Sequence, residues 1–260
     1  MGRIAEAALA RTNWITAAAL LLLTLIAWGW IVSGAGMDMA PHWALSPFPH
    51  RQATETAMAM GASFGVLLAM WWVMMVAMML PSAAPMVLLY ARASSHDGTS
   101  GKSSTALFLL GYLVAWGLFS GVAALGQSWL QHEMLGSSAM MALASRWLAA
   151  AVLIAAGAYQ LSPLKNACLK TCRNPAAFLS RHHRPGRAGA MRLGVVHGAY
   201  CVGCCWMLMA LLFVGGVMNL AWIALLTLLV AAEKILPHGR RIATVTGLGL
   251  IGWGVATLLV

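Results

Sequence analysis

Residues 193–216 read Leu-Gly-Val-Val-His-Gly-Ala-Tyr-Cys-Val-Gly-Cys-Cys-Trp-Met-Leu-Met-Ala-Leu-Leu-Phe-Val-Gly-Gly. An apolar run of about 20 residues is long enough to cross the hydrocarbon core of a bilayer as a helix. This run carries one histidine and three cysteines, at His197, Cys201, Cys204 and Cys205. It therefore predicts a membrane helix that holds ionisable side chains at a depth where they are costly.

The whole chain has the composition of an integral membrane protein. Of its 260 residues, 61% are hydrophobic and 8% are charged, which is far below the charge content of soluble domains. Seven apolar runs are predicted to span the membrane, with the approximate bounds 14–33, 62–90, 106–127, 143–162, 193–216, 219–236 and 242–259. Barrel strands would alternate over about ten residues, so the runs predict an all-α polytopic bundle, a single transmembrane domain over 1–260.

The basic residues predict the orientation. The net charge is +10, and nearly all Lys and Arg fall before the first run or between even and odd runs. This is the positive-inside pattern, which predicts a cytoplasmic N-terminus and an outer C-terminus (N-in/C-out). The basic stretch 163–192 is expected to be a cytoplasmic connector against anionic lipid headgroups rather than a nucleic-acid site.

The histidine and cysteines of the fifth run share one helical face. His197, Cys201, Cys204 and Cys205 stand at i, i+4, i+7 and i+8. Thiol and imidazole form a ligand set suited to a soft metal such as Cu(I). The alternative is packing, since free cysteine often behaves as a small buried hydrophobe.

The second run carries methionines at helical spacing, in two adjacent stripes. The stripes are Met70, Met74 and Met78, and Met75 and Met79. Thioethers also select Cu(I), although methionine equally fills gaps in apolar cores. Counting from the charged flanks places Met75–Met79 and Cys201–Cys205 at similar depth, so a site shared by the two helices is predicted.

A second thiol pair lies in the basic connector. Cys168 and Cys172 are four residues apart, so they face together on one helical turn. Flanking basic residues are expected to favour the thiolate form; they are Lys165, Lys170 and Arg173. The pair indicates metal binding or redox switching, with His182 and His183 as possible further ligands, and two ordinary loop thiols are the alternative.

Two more features allow two interpretations each. The outer loop carries methionine and histidine without cysteine, which suits copper capture in an oxidising space or an ordinary solvated loop; its residues are Met37, Met39, His42 and His50. Glu233 and Lys234 close the sixth run. They are expected to reach the headgroups as an interfacial pair, with Glu233 as a counter-charge for the site as the alternative.

Four blocks of the sequence resemble a bacterial family of predicted metal-binding integral membrane proteins, domain of unknown function 2182. The blocks are residues 74–86, 159–175, 197–209 and 232–237, within a family-like core of about 60–240. The block His-Gly-Ala-Tyr-Cys-Val-Gly-Cys-Cys-Trp is the most specific. The resemblance implies functional positions at Met74, Met75, Met78, Met79, Cys168, Cys172, His197, Cys201, Cys204, Cys205 and Glu233.

These observations predict a non-enzymatic protein of the bacterial inner membrane that handles Cu(I), with Zn(II) less favoured. A metallochaperone or a cuproenzyme is the expected partner, and the lack of a nucleotide motif argues against transport driven by ATP. A membrane thiol-disulfide oxidoreductase is one alternative, weakened because the outer loop has no cysteine. A structural or assembly subunit is another, with helix packing through Gly247, Gly249, Gly252 and Gly254.

Overall fold

The computed structural model describes residues 2–35, 43, 63–94, 101–133 and 146–259. Within these ranges the chain is helical and contains no β-strand, so the all-α prediction is confirmed. The helices are α1 (Gly2–Val32), α2 (Phe64–Ser94), α3 (Gly101–Glu133), α4 (Arg146–Leu161), α5 (Pro163–Cys172), α6 (Pro175–His182), α7 (Gly186–Ala210), α8 (Leu212–Gly215), α9 (Leu220–Ile235) and α10 (Gly239–Leu259).

Five segments in the described ranges are long and apolar enough to cross a membrane. They are Trp14–Val32, Phe64–Ser94, Ser103–Trp129, Gly186–Gly215 and Gly239–Leu259. The predicted spans 143–162 and 219–236 correspond to α4 and α9, which have 16 residues each. At 1.5 Å per residue such a helix measures about 24 Å, short of a core of about 30 Å. The count of seven spans and the N-in/C-out orientation therefore stay predictions.

Large apolar side chains cover much of the outer surface. On α1, Leu21, Leu22 and Leu25 are 58–60% exposed, and Leu118 and Val122 on α3 are 69% exposed. Soluble monomers rarely expose contiguous apolar surface of this extent. The surface is therefore compatible with a protein surrounded by lipid.

The basic connector, which is expected to lie against lipid headgroups, is folded into helices. It contains α5, α6 and the first turns of α7. The axis turns by 62° between α4 and α5, at Ser162, whose backbone is extended (φ −68°, ψ 148°) because the following residue is Pro163. The Ser162 hydroxyl caps α5 by accepting from the Lys165 backbone N–H at 3.1 Å. The bend directs α5 across α7.

Helix α3 lies between α2 and α7 and packs closely along α7. A side chain at Gly194 would collide with the Phe108 carbonyl, and one at Gly111 would collide with the Met191 carbonyl. Small residues at these crossings let the two backbones approach, as in other membrane helix pairs. On α10, Gly247 packs against α4 in the same way.

The glycines of α10 divide into two groups. Gly247 and Gly254 contact α4 at Gly157, Gln160 and Ile154, whereas Gly249 and Gly252 have no neighbour where a Cβ would stand. The close packing of α10 is therefore against α4 of the same chain.

A buried ion pair fastens α5 to α9. Lys165 Nζ lies 2.6 Å from Glu233 Oε2, and the two side chains are 0% and 2% exposed. Gln160 Nε2 donates to Glu233 Oε1 at 2.8 Å. Arg173 adds a second tie, since it donates to the backbone carbonyls of Leu236 and Pro237 at 2.8 and 2.5 Å. The expected interfacial pair of Glu233 and Lys234 is therefore not what the structure shows, because Glu233 is neutralised from α5.

We expect Lys165→Met to destabilise the protein by about 3–5 kcal/mol, because it leaves the Glu233 carboxylate buried without its cation. Lys170→Met is the matched control, since Lys170 lies on the same helix but is exposed. Adding Glu233→Gln to Lys165→Met should restore much of the loss. The free energy of unfolding in neutral detergent is measured for the two single variants and the double variant. Equal stability of Lys165→Met and Lys170→Met would contradict the role given to the ion pair.

Candidate metal centre

The predicted polar face of α7 is buried. His197, Cys201, Cys204 and Cys205 are between 1% and 3% exposed. They form part of the inner face of the helix together with Leu208. The 3.6-residue period places them there, since the intervening residues turn towards other elements.

The second thiol pair faces the same helix. Lys165, Cys168, Leu169 and Cys172 stand at i, i+3, i+4 and i+7, which makes one face of α5. Cys168 Sγ lies directly over Gly203, at 3.0 Å from where a Cβ would stand. A larger residue at 203 would push α5 away, so this glycine permits the close approach of the two helices.

Four of the five cysteines meet around Cys204. The thiols of Cys172, Cys201 and Cys205 lie close enough to interact with its side chain. A thioether adjoins these thiols: Met79 Sδ lies 3.7 Å from Cys205 Sγ. Helices α5, α7 and α2 therefore contribute sulfur to one buried cluster, which we call the sulfur cluster: Cys172, Cys201, Cys204, Cys205 and Met79.

The thiols of Cys204 and Cys205 form hydrogen bonds to the backbone of their own helix and do not converge on a common point. Cys204 Sγ and Cys205 Sγ both donate to the Cys201 carbonyl, at 3.1 and 3.0 Å. In the described part of the chain, no group of three or more His, Cys, Asp and Glu side chains is arranged to hold a metal ion. The contact between Cys205 and Met79 adds a thioether beside these thiols.

Cys201 has two polar neighbours that sequence reasoning did not find. Lys234 Nζ donates to Cys201 Sγ at 2.9 Å and to Ser82 Oγ at 3.1 Å. The Tyr112 hydroxyl lies 3.1 Å from the same sulfur and 3.2 Å from the Met79 carbonyl, to which it donates. Lys234 was expected at the headgroups, but it is only 8% exposed. In the sequence, the sign of this role is that Lys234 stands in an apolar run. The residues around it do not indicate which side chain it contacts.

A cavity of about 230 Å³ opens beside Cys201. Its lining includes Pro85, Cys172, Arg173, His197, Cys201 and Lys234. His197 packs against the rings of Phe108, Tyr112 and Phe178. Its Nδ1 is buried without a hydrogen-bond partner among the described residues. A neutral nitrogen donor thus borders the same space as two of the thiols.

The other predicted ligands lie elsewhere. Met74, Met75 and Met78 are 0–1% exposed in the apolar core. His182 stacks on Phe178, and its Nδ1 pairs with the Phe178 carbonyl at 3.1 Å, so it does not complete a set with Cys168. The remaining prediction, on the outer loop, falls outside the described residues; its positions are Met37, Met39, His42 and His50.

The basic residues expected to favour thiolates at Cys168 and Cys172 are mostly engaged with other groups. Lys165 pairs with Glu233, and Arg173 donates to carbonyls at the end of α9. Lys170 is exposed. The cation that contacts a thiol is Lys234, which comes from another helix.

Comparison with known proteins identifies a family that matches most of the chain. No curated protein and no solved structure matches the chain. A family profile, PpoB2, described as copper chaperone, matches residues 68–257. The name of this profile differs from the domain of unknown function that the sequence blocks resemble. The match supports a copper-related family. Because the matched region covers well over half of the chain and includes the whole sulfur cluster, the chain belongs to the copper chaperone family.

Proposed function

We propose that the chain is a membrane-embedded carrier that holds Cu(I) on the sulfur cluster and exchanges it with a partner protein without catalysing a reaction. The observation that carries this proposal is the 3.7 Å contact between the Cys205 thiol and the Met79 thioether, beside Cys204 and the α5 thiol of Cys172. Membership of the copper chaperone family supports the choice of metal.

The donor types favour Cu(I) over Zn(II). Thiolates bind both Cu(I) and Zn(II), but the thioether of Met79 favours the softer Cu(I), and structural zinc takes four nitrogen, sulfur or carboxylate ligands in a tetrahedron. With metal–sulfur bonds of about 2.3 Å, the sulfurs of Cys205 and Met79, which are 3.7 Å apart, can share one ion after a small movement. Binding would exchange the hydrogen bonds to the Cys201 carbonyl for bonds to copper, and His197 would supply the imidazole.

The sulfur atoms suggest a route as well as a site. Cys168 lies at the outer edge over Gly203 and Cys172 is half-buried, while Cys204, Cys205 and Met79 are fully buried. Copper would pass along this series by exchanging one sulfur ligand for the next. The buried methionines Met74, Met75 and Met78 would extend the route along α2.

The setting we propose is the bacterial inner membrane. The concentration of basic residues at one set of helix ends supports the N-in/C-out orientation, with α5 and α6 on the cytoplasmic side. A cytoplasmic metallochaperone or a membrane or periplasmic cuproenzyme would be the partner.

Thiol-disulfide exchange is the second candidate function. The contact between Cys172 and Cys204 favours it, because two thiols from different helices could form a reversible bond. Titration of free thiols in membranes, with and without a quinone, separates the two functions. Quinone-dependent loss of two thiols would favour the oxidoreductase.

We expect the variant Cys201→Ser/Cys204→Ser/Cys205→Ser to lose most of its bound copper, because serine removes the soft donors and leaves the helix shape intact. Elemental analysis of protein purified anaerobically with Cu(I) and Zn(II) in competition measures the loss. Copper retention equal to that of the wild type would refute the proposal.

The two thiols of α5 should differ in their effect. Cys172 contacts Cys204, whereas Cys168 lies over Gly203. We therefore expect Cys172→Ser to lower Cu(I) affinity by at least about tenfold, since loss of even an outer-shell partner of a metal commonly costs that much. Cys168→Ser serves as the control and should have the smaller effect in a competition with a Cu(I) chelator. The reverse order would exclude Cys172 from the ligand set.

Met79→Leu should weaken copper binding while preserving the fold. Leucine and methionine have similar volumes, so the exchange costs less than about 1.5 kcal/mol of stability, but leucine lacks a soft donor. Met70→Leu is the matched control, because Met70 is equally buried on the same helix. The sulfur signal in X-ray absorption of the copper-loaded protein should decrease for Met79→Leu, and an unchanged signal would remove Met79 from the site.

A further inference from the structure

The cavity beside Cys201 connects the surface to the sulfur cluster. Pro85 and Ile235, which line it, are exposed, whereas Cys201 and His197 at its inner end are 1% and 3% exposed. Cys172 also lines the cavity and is half-buried. The cavity is thus a direct approach to a thiol of the cluster from outside the helix bundle.

Both charged side chains on its wall are cations. Lys234 and Arg173 line the cavity, and among its described lining residues there is no Asp or Glu. The nearest acidic residue along the chain, Glu233, is turned away and neutralised by Lys165 at 2.6 Å. A free metal cation would therefore be repelled on entry, and most strongly near the inner end, where Cys201 and His197 are buried.

An anion would be attracted to the same space. Cu(I) held by two thiolates carries a net charge of −1, whereas a divalent ion held by two thiolates is neutral. The ammonium group of Lys234, which lies 2.9 Å from Cys201 Sγ, balances the first complex and would remain a buried, unbalanced charge beside the second. Lys234 also donates to Ser82 Oγ at 3.1 Å, so its position is set from α2 as well.

We propose, building on the function proposed above, that this cavity is the port through which copper enters or leaves as an anionic bis(thiolate) complex of Cu(I). Lys234 is the fixed counter-charge for that complex and the residue that selects a monovalent over a divalent ion. The carrier of the two thiolates is a small thiol compound or a cysteine pair of a protein, and both present the same charged centre.

The transfer is a ligand exchange at copper. The Cys201 sulfur forms a bond to Cu(I), the bond between copper and one carrier sulfur breaks, and the proton of the Cys201 thiol passes to the departing sulfur. Copper stays in the +1 state, so the step needs neither an oxidant nor a reductant. The second carrier sulfur is then replaced in the same way by another cysteine thiol of the sulfur cluster, whose proton passes to the second departing sulfur.

The full chain in neutral detergent, under anaerobic conditions, tests the port with two copper sources of opposite charge. One is the bis(2-mercaptoethanol) complex of Cu(I), whose negative charge comes from coordination alone, and the other is the cationic acetonitrile complex. The ratio of the initial loading rates, anion over cation, is compared among wild type, Lys234→Met and Lys234→Arg. Because each ratio comes from one protein, partial loss of binding capacity does not affect it.

We expect Lys234→Met to lower this ratio by about tenfold or more, within the range of electrostatic effects on association, and Lys234→Arg to keep it near the wild-type value. The wild-type ratio should also fall as salt is added. A two-cysteine peptide loaded with Cu(I) is the third source, and its rate relative to the small-thiol complex identifies the carrier.

An unchanged ratio in Lys234→Met would overturn the proposed port. If that variant fails to fold, a wild-type ratio that does not respond to salt overturns it equally. Failure of the wild type to retain copper from any source would instead count against the proposed function. The experiment therefore distinguishes failure of the proposed port from failure of the proposed function.

Discussion

The buried ion pair between Lys165 and Glu233 is the constraint on which the polar interior depends. Two charges removed from water are tolerable only when they meet in good geometry, and Gln160 completes that geometry. The pair holds α5 against α9. As a result, Cys172 at the end of α5 and Lys234 at the end of α9 line one cavity, and the sulfur cluster has both a thiol from outside α7 and a nearby cation.

Several polar side chains inside this bundle are connected to one another by hydrogen bonds. Tyr112 bridges the Met79 carbonyl and Cys201, and Lys234 bridges Cys201 and Ser82. Each contact compensates for lost hydration in an interior that is otherwise apolar. Among the described residues, His197 Nδ1 is one of the buried polar atoms without a hydrogen-bond partner, and His197 lines the cavity. A soft metal ion is a partner that this arrangement leaves room for.

Much of the helical architecture follows from the sequence, because a helix is a local structure with a period of its own. Over the described residues, all seven apolar runs are mostly helical, and the face shared by His197, Cys201, Cys204 and Cys205 is buried as the spacing predicts. The spacing of Cys168 and Cys172 likewise places both on one face of α5. The basic connector also contains a buried pair on α5, Lys165 and Leu169, which its high charge conceals in the sequence.

What the sequence determined by itself is therefore the helices, their apolar surfaces and the residue types able to bind a soft metal. The tertiary structure alone decided which of those residues meet: Cys172 with Cys204, Met79 with Cys205, and Lys234 with Cys201, 33 positions away in the chain. The reason is physical. Periodicity specifies the direction in which a side chain leaves its own helix, but contacts between helices depend on crossings set by Gly194, Gly203 and the bend at Pro163, and no local pattern encodes which distant helix will lie there.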